Sequence, residues 1–233
     1  MTTSGNRIEI KICGLTTPEM AELCADAGVD AIGMIFFPPS PRHVSPQRAR
    51  QVAAAVPEHV ARVGVFVEHS AATILEIATF AGLNVVQLVG ASASAATPLR
   101  EAGLHVVQML STNGAALTAQ SCLIPVSDAV LVECGKGILP GGNGATWNWS
   151  GAAALRTVRP YAIAGGLTPE NVADAILASG ASSVDVSSGV ESSRGVKNIE
   201  LVRTFIAAVR ATPANATGPV FCRKPFENRG NIA

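Results

Sequence analysis

Two residues set two positions apart open the chemical reading: Lys11 and Cys13, in the run Lys11-Ile-Cys-Gly-Leu-Thr16. Residues i and i+2 of a strand face the same side, so the cation would lie near the thiol. A thiol acts as a base only once ionised, and a neighbouring cation favours that. Further along stand Ser40 and Arg42, then Gln87, Glu133 and Asp185. Two small-residue turns complete the set, Ala164-Gly165-Gly166-Leu167 and Ser187-Ser188-Gly189. Glycines let backbone N–H groups approach an anion closely, which makes both turns candidate phosphate cradles. The set holds a potential base, an acid, an arginine and an anion clamp.

Such groups matter only if the fold brings them together. Eight short apolar runs punctuate the chain: Ile8–Ile12, Ala31–Phe36, Arg62–Val67, Val85–Leu88, His105–Met109, Ala129–Val132, Tyr161–Ala164 and Ser183–Val186. Several are apolar throughout rather than alternating, as parallel strands covered on both faces are. Helix punctuation lies between them. Thr16-Thr-Pro, Ser45-Pro and Thr168-Pro place an N-cap before Pro at the first helical position. Gly28, Gly82, Gly103 and Gly180 stand where C-caps belong.

Eight β-then-α units predict an α/β (β/α)8 barrel, one domain over residues 1–212, followed by an irregular or disordered tail over 213–233. An open doubly wound sheet is the alternative, although the turn after the first run is Cys13-Gly-Leu-Thr and not a GxGxxG motif. In a barrel the active site lies at the C-terminal ends of the strands, and the residues singled out above all fall there. The loops after strands seven and eight are that fold's recurrent phosphate site.

Composition narrows the partners. The 233 residues are 48% hydrophobic and 15% charged, with 17 basic residues against 17 acidic ones. A balanced surface with no basic stripe offers nucleic acid or an anionic membrane no electrostatic footprint, and ten aromatic residues (seven Phe, two Trp, one Tyr) are a poor supply for stacking bases. No apolar run reaches membrane-spanning length and the first residues do not read as a secretory signal, so the expected compartment is the cytoplasm. Five scattered cysteines with no CxxC pair give neither a disulfide framework nor a zinc site; Cys24, Cys122, Cys134 and Cys222 read as structural. The four histidines read likewise.

The motifs Lys11-Ile-Cys-Gly-Leu-Thr16, Phe36-Phe-Pro-Pro-Ser-Pro-Arg42, Gly64-Val-Phe-Val, Val86-Gln-Leu, Gly141-Gly-Asn-Gly144, Ala164-Gly-Gly-Leu167 and Asp185-Val-Ser-Ser-Gly-Val-Glu191 resemble, collinearly, the phosphoribosylanthranilate isomerase family. The resemblance implies an Amadori rearrangement in tryptophan biosynthesis, on a small sugar-phosphate substrate, without cofactor or metal. It further implies Cys13 as the base and Glu133 as the acid. Lys11, Arg42, Gln87 and Asp185 would be substrate-binding, with Arg42 facing the anthranilate carboxylate. Gly142, Gly144, Gly165, Gly166, Ser187, Ser188 and Gly189 would bind phosphate. Whether the chain is a monomer or a homodimer stays open.

The pattern departs from the family at three places: Glu133 where Asp is usual, Val89 where His is common, and Asn198 where Asp often stands. These departures keep two alternatives in view, a paralogous isomerase of another amine ribotide and a catalytically weak phosphate-binding barrel.

Overall fold

Eight parallel strands close on themselves in chain order, with β1 pairing to both β2 and β8. The computed structural model describes residues 7–90, 95–112, 117, 127–135, 146–213 and 218–222. The strands are β1 Glu9–Cys13, β2 Ala31–Phe36, β3 Ala61–Val67, β4 Val85–Val89, β5 His105–Thr112, β6 Ala129–Cys134, β7 Tyr161–Ile163 and β8 Ser183–Val186. They match the runs read from the sequence to within one residue at each end, except that β5 and β6 extend three and two residues further. The fold is the expected (β/α)8 barrel, and the open sheet is excluded.

Outside the barrel lie helices α1 Pro18–Asp26, α2 Pro46–Ala54, α3 Ala71–Ala81, α4 Ala96–Glu101, α5 Val172–Ser179 and α6 Ile199–Ala211, with a 3₁₀ segment over Trp149–Thr157. No helix among the described residues is long and apolar enough to cross a membrane. Thr17 and Ser45 cap α1 and α2 by accepting the Met20 and Arg48 amides, each with Pro next in line. The third expected cap is corrected: α5 starts at Val172 behind Asn171, not behind Thr168. Asn171 holds the intervening turn instead, its Oδ1 accepting the Thr168 amide and its Nδ2 donating to the Gly166 carbonyl.

Strand alternation sorts the core into two clusters. Ile10, Ile12, Ile32, Met34, Phe66, Val86, Leu88, Val130, Val132, Ile163, Val184 and Val186 point outward beneath the helices. Inward point Cys13, Ala31, Ala61, Val63, Val65, Val85, Val107, Leu131 and Ala162. On β1 the inward residues are therefore Glu9, Lys11 and Cys13, one each at floor, middle and mouth. The residues 218–222 return to the floor, where Val220 and Phe221 are fully buried in the same inner cluster.

A short antiparallel pair, β9 Glu191–Ser193 and β10 Val196–Lys197, follows β8 and leads into α6. Asn198 caps α6, its side chain accepting the Glu200 and Leu201 amides. An amide oxygen suffices for that, so the Asn at this position is accounted for by the cap.

Candidate active site

An open cavity of about 780 Å³ occupies the mouth of the barrel. Its wall is divided. Ile35, Phe37, Val65, Val67, Val89 and Met109, from β2 to β5, make a largely apolar arc, broken by Gln87 and edged by Ser40 and Arg42. Glu133, Gly165, Gly166, Asp185, Ser187, Ser188 and Cys13, from β6 round to β1, make a polar one. Val89 belongs to the apolar arc, so its apolar side chain extends an existing surface and leaves no hole in a polar one.

Register builds the polar arc. Lys11 pairs with Asp185 across β1 and β8, and the Lys11 Nζ donates to Asp185 Oδ2 at 2.8 Å and to Gln87 Oε1 at 3.0 Å. Lys11 itself is wholly buried and does not reach the cavity wall. It sits behind the residues that do. Burial works against its charge, yet Asp185 and Cys13 beside it together more than compensate and hold its pKa above the ordinary lysine range. Burial pushes the Cys13 thiol up, and Lys11 pulls the other way. The second Asp185 oxygen, Oδ1, is buried with no hydrogen-bond partner among the described residues, on a side chain that lines the cavity. An unpartnered buried carboxylate oxygen is costly, and a substrate donor would relieve it.

Absence of a side chain at residue 33 makes room for this arrangement. A Cβ on Gly33 of β2 would lie 2.9 Å from Cys13 Sγ and 3.0 Å from Lys11 Cε. Both side chains rest on the bare backbone opposite them.

Arg42 is fixed by a network the sequence did not disclose. Its Nε and Nη2 donate to the two Glu191 oxygens at 2.7 and 2.8 Å, a bidentate pair, while Ser40 Oγ accepts its backbone amide. Lys197 Nζ donates to Glu191 Oε1 at 2.6 Å and to the Ser187 carbonyl and hydroxyl, and Ser187 Oγ donates to the Cys13 carbonyl. Burial opposes ionisation of Glu191, but Arg42, Lys197 and the Gly195 amide outweigh it and hold the carboxyl down at about 2. Glu191 stood in the quoted closing turn and Lys197 just after it, so their positions were on view. Nothing in a sequence says that two charges on a short hairpin will be buried together.

The two small-residue turns come together as expected. A Cβ on Gly189 would overlap the Leu167 carbonyl oxygen, at 1.8 Å, so the strand-eight turn can rest on the strand-seven turn only with glycine there. Gly165, Gly166, Ser187 and Ser188 line the cavity; Gly189 lies behind them. The amides of Gly165, Gly166, Ser188 and Gly189 donate to no carbonyl among the described residues. The Ser187 hydroxyl is committed to Cys13 and Lys197 and its carbonyl to Lys197, leaving its backbone amide for a ligand. Gly142 and Gly144 lie outside the described residues, as does Cys122. Glu133, at the end of β6 and opposite Ser111 in register, lines the cavity and is 7% exposed. Cys24 is buried away from the cavity, its thiol pushed by burial up to about 12.

Comparison with known proteins agrees with this geometry. A family-wide sequence profile described as N-(5'phosphoribosyl)anthranilate (PRA) isomerase matches residues 10–208. The N-(5'-phosphoribosyl)anthranilate isomerase of Paramagnetospirillum magneticum is 41% identical over 213 residues, covering 87% of this chain and 97% of that one. That of Desulfatibacillum aliphaticivorans is 42% identical over 204 residues, covering 85% and 91%. The Thermus thermophilus phosphoribosyl anthranilate isomerase superposes with a TM-score of 0.77 at 30% identity, covering 87% of this chain and 98% of that one. A phosphoribosyl anthranilate isomerase in complex with reduced 1-(o-carboxyphenylamino)-1-deoxyribulose 5-phosphate gives 0.74 at 31%, with the same coverage.

Proposed function

The chain belongs to the N-(5'-phosphoribosyl)anthranilate isomerase family, and from that premise we propose how its own residues carry the Amadori rearrangement. The phosphate rests on the amides of Gly165, Gly166, Ser188 and Gly189. The anthranilate ring lies against the apolar arc, and Arg42, pre-aligned by Glu191, meets its carboxylate. The ribose is thereby stretched between two anchors, which converts proton transfer into a positioned, effectively unimolecular step.

Glu133 protonates the ring oxygen. The C1′–O bond breaks, that oxygen leaves as a hydroxyl, and the nitrogen lone pair forms an iminium at C1′. Cys13 then takes the C2′ proton, and the C–H electrons move to neutralise the iminium, giving an enolamine that tautomerises to the ketose. Burial favours the protonated Cys13 thiol, and the positive charge of the iminium favours the thiolate as it is needed. Asp185 Oδ1 receives a substrate hydroxyl or amine donor. The extra methylene of Glu133 relative to Asp is taken up by reach toward the ring oxygen.

One observation carries this reading: Cys13, backed by the Lys11–Asp185 pair, shares a single cavity with Glu133 and two turns whose Gly165, Gly166, Ser188 and Gly189 amides donate to no carbonyl among the described residues. The test is turnover of freshly generated phosphoribosylanthranilate by the wild-type protein and by Cys13→Ala. Wild-type kcat/KM of about 10⁴ M⁻¹s⁻¹ or more, lost in the variant, is expected. Full activity in Cys13→Ala removes the thiol from the mechanism. Absent turnover by folded wild-type protein refutes the assignment as a whole.

A further inference from the structure

The barrel floor is built around a residue from beyond the family match. Four strands place alanine in the inner cluster: Ala31, Ala61, Ala129 and Ala162. Side chains that small leave the lower barrel unfilled, and close-packed interiors do not tolerate such a void. Val220 and Phe221 fill it from below, both 0% exposed, although the profile match ends at residue 208.

Side chains of the barrel hold this segment in place. Glu9, the lowest inward residue of β1, accepts the amides of Val220 and Phe221 on Oε2 and that of Cys222 on Oε1, while Ser183 Oγ donates to the same Oε2. The His105 Nε2 lies 2.8 Å from the Val220 carbonyl. Three consecutive amides on one carboxylate fix the position of the chain between them, and that position decides where the Phe221 ring goes. The ring lies beneath Lys11, whose Nζ is 5.5 Å from its centroid.

We propose that Phe221 is a positioning residue for catalysis: seated by Glu9, its ring keeps the floor dry and holds Lys11 up against Asp185 and Gln87. This rests on the roles given above to Cys13 and Asp185. Lys11 touches no part of the cavity and has a flexible four-carbon stem. Its hold on Asp185 and Gln87 depends on having no water to turn to instead. With the ring gone, water enters from below, offers the ammonium other acceptors and weakens its field on Asp185 and Cys13. The C-terminal segment would thus tune a site at the opposite end of the barrel through one buried cation.

A graded series in the full chain, Phe221→Leu, Phe221→Val and Phe221→Ala, tests this. Each variant is first confirmed as folded by its near-ultraviolet circular dichroism and cooperative melting, and one that fails is replaced by the next larger side chain. Leu, which keeps most of the volume, should keep most of the activity. Loss should deepen through Val to about tenfold in kcat at Ala, with KM moving less. The rate of Cys13 alkylation against pH, followed by peptide mass spectrometry, should show a midpoint displaced in Ala and near wild type in Leu. That readout needs no turnover, so it stands even where the substrate assignment falls. If the folded variants lose only melting temperature, with kcat and the Cys13 midpoint flat across the series, Phe221 is packing alone and the proposal is overturned.

Discussion

Two buried carboxylates on neighbouring strands, Glu9 of β1 and Asp185 of β8, stand at different levels of one barrel, and their difference separates a site from a scaffold. At the floor, Glu9 accepts three backbone amides and a serine hydroxyl, and its oxygens are fully occupied by the chain itself. Near the mouth, Asp185 takes Lys11 on one oxygen and leaves the other buried and bare. Both carboxylates are 7% exposed, so burial does not tell them apart. Satisfaction does. A buried polar group whose partners are all protein rigidifies, whereas one left short of a partner at a cavity wall is held ready for a ligand.

The mouth is probed most sharply at Glu133, its proposed acid. Glu133→Gln keeps the shape and removes the proton donor, so kcat should fall by about 10²–10⁴ while the melting temperature barely moves. An active Glu133→Gln would mean the mouth holds its carboxylates for structure, as the floor does. The floor is probed by the matching change, Glu9→Gln, which leaves one acceptor where two served four donors. Its expected cost is about 1–3 kcal/mol of stability, read by denaturant unfolding, with kcat falling no further than in the Phe221 series.

The smallest effect concerns Glu191. Its carboxyl is held at about 2 against an ordinary 4.5, so the folded state gives up the charge less readily than the unfolded one. The stability this contributes is complete above the ordinary range and is lost as pH falls from 4.5 toward 2. Melting temperatures of wild type and Glu191→Gln should therefore converge across that window. Parallel curves would place the acid sensitivity elsewhere.

Most of this arrangement was legible because a buried parallel strand writes itself as a continuous apolar run. Each of the eight runs is short, bounded by turn residues and free of internal proline, and each became a strand. Convergence of Cys13, Glu133, Asp185 and the two turns then followed from the fold's habit of placing strand C-termini at one mouth. Local signals misled only where two were in competition: Thr168-Pro looked like a cap, but Asn171 offers both an acceptor and a donor to the turn and takes its place. Tertiary burial stayed out of reach. Glu191 and Lys197 are charged residues on a two-strand hairpin, a pattern that normally marks solvent, and only the fold shows Arg42 lying between them and the cavity. Residues 218–222 have no period to read, and what gives Phe221 its place is a vacancy made by alanines on four distant strands.

The floor also has a history in time. Glu9 is synthesised early, and the donors that satisfy it lie 174 to 213 positions downstream. At about 5–20 residues per second, a nascent chain carries that carboxylate for roughly ten to forty seconds before Cys222 exists. An unpaired carboxylate keeps its water. Until residues 220–222 reach it, Glu9 lacks three of the four donors that satisfy it in the folded chain.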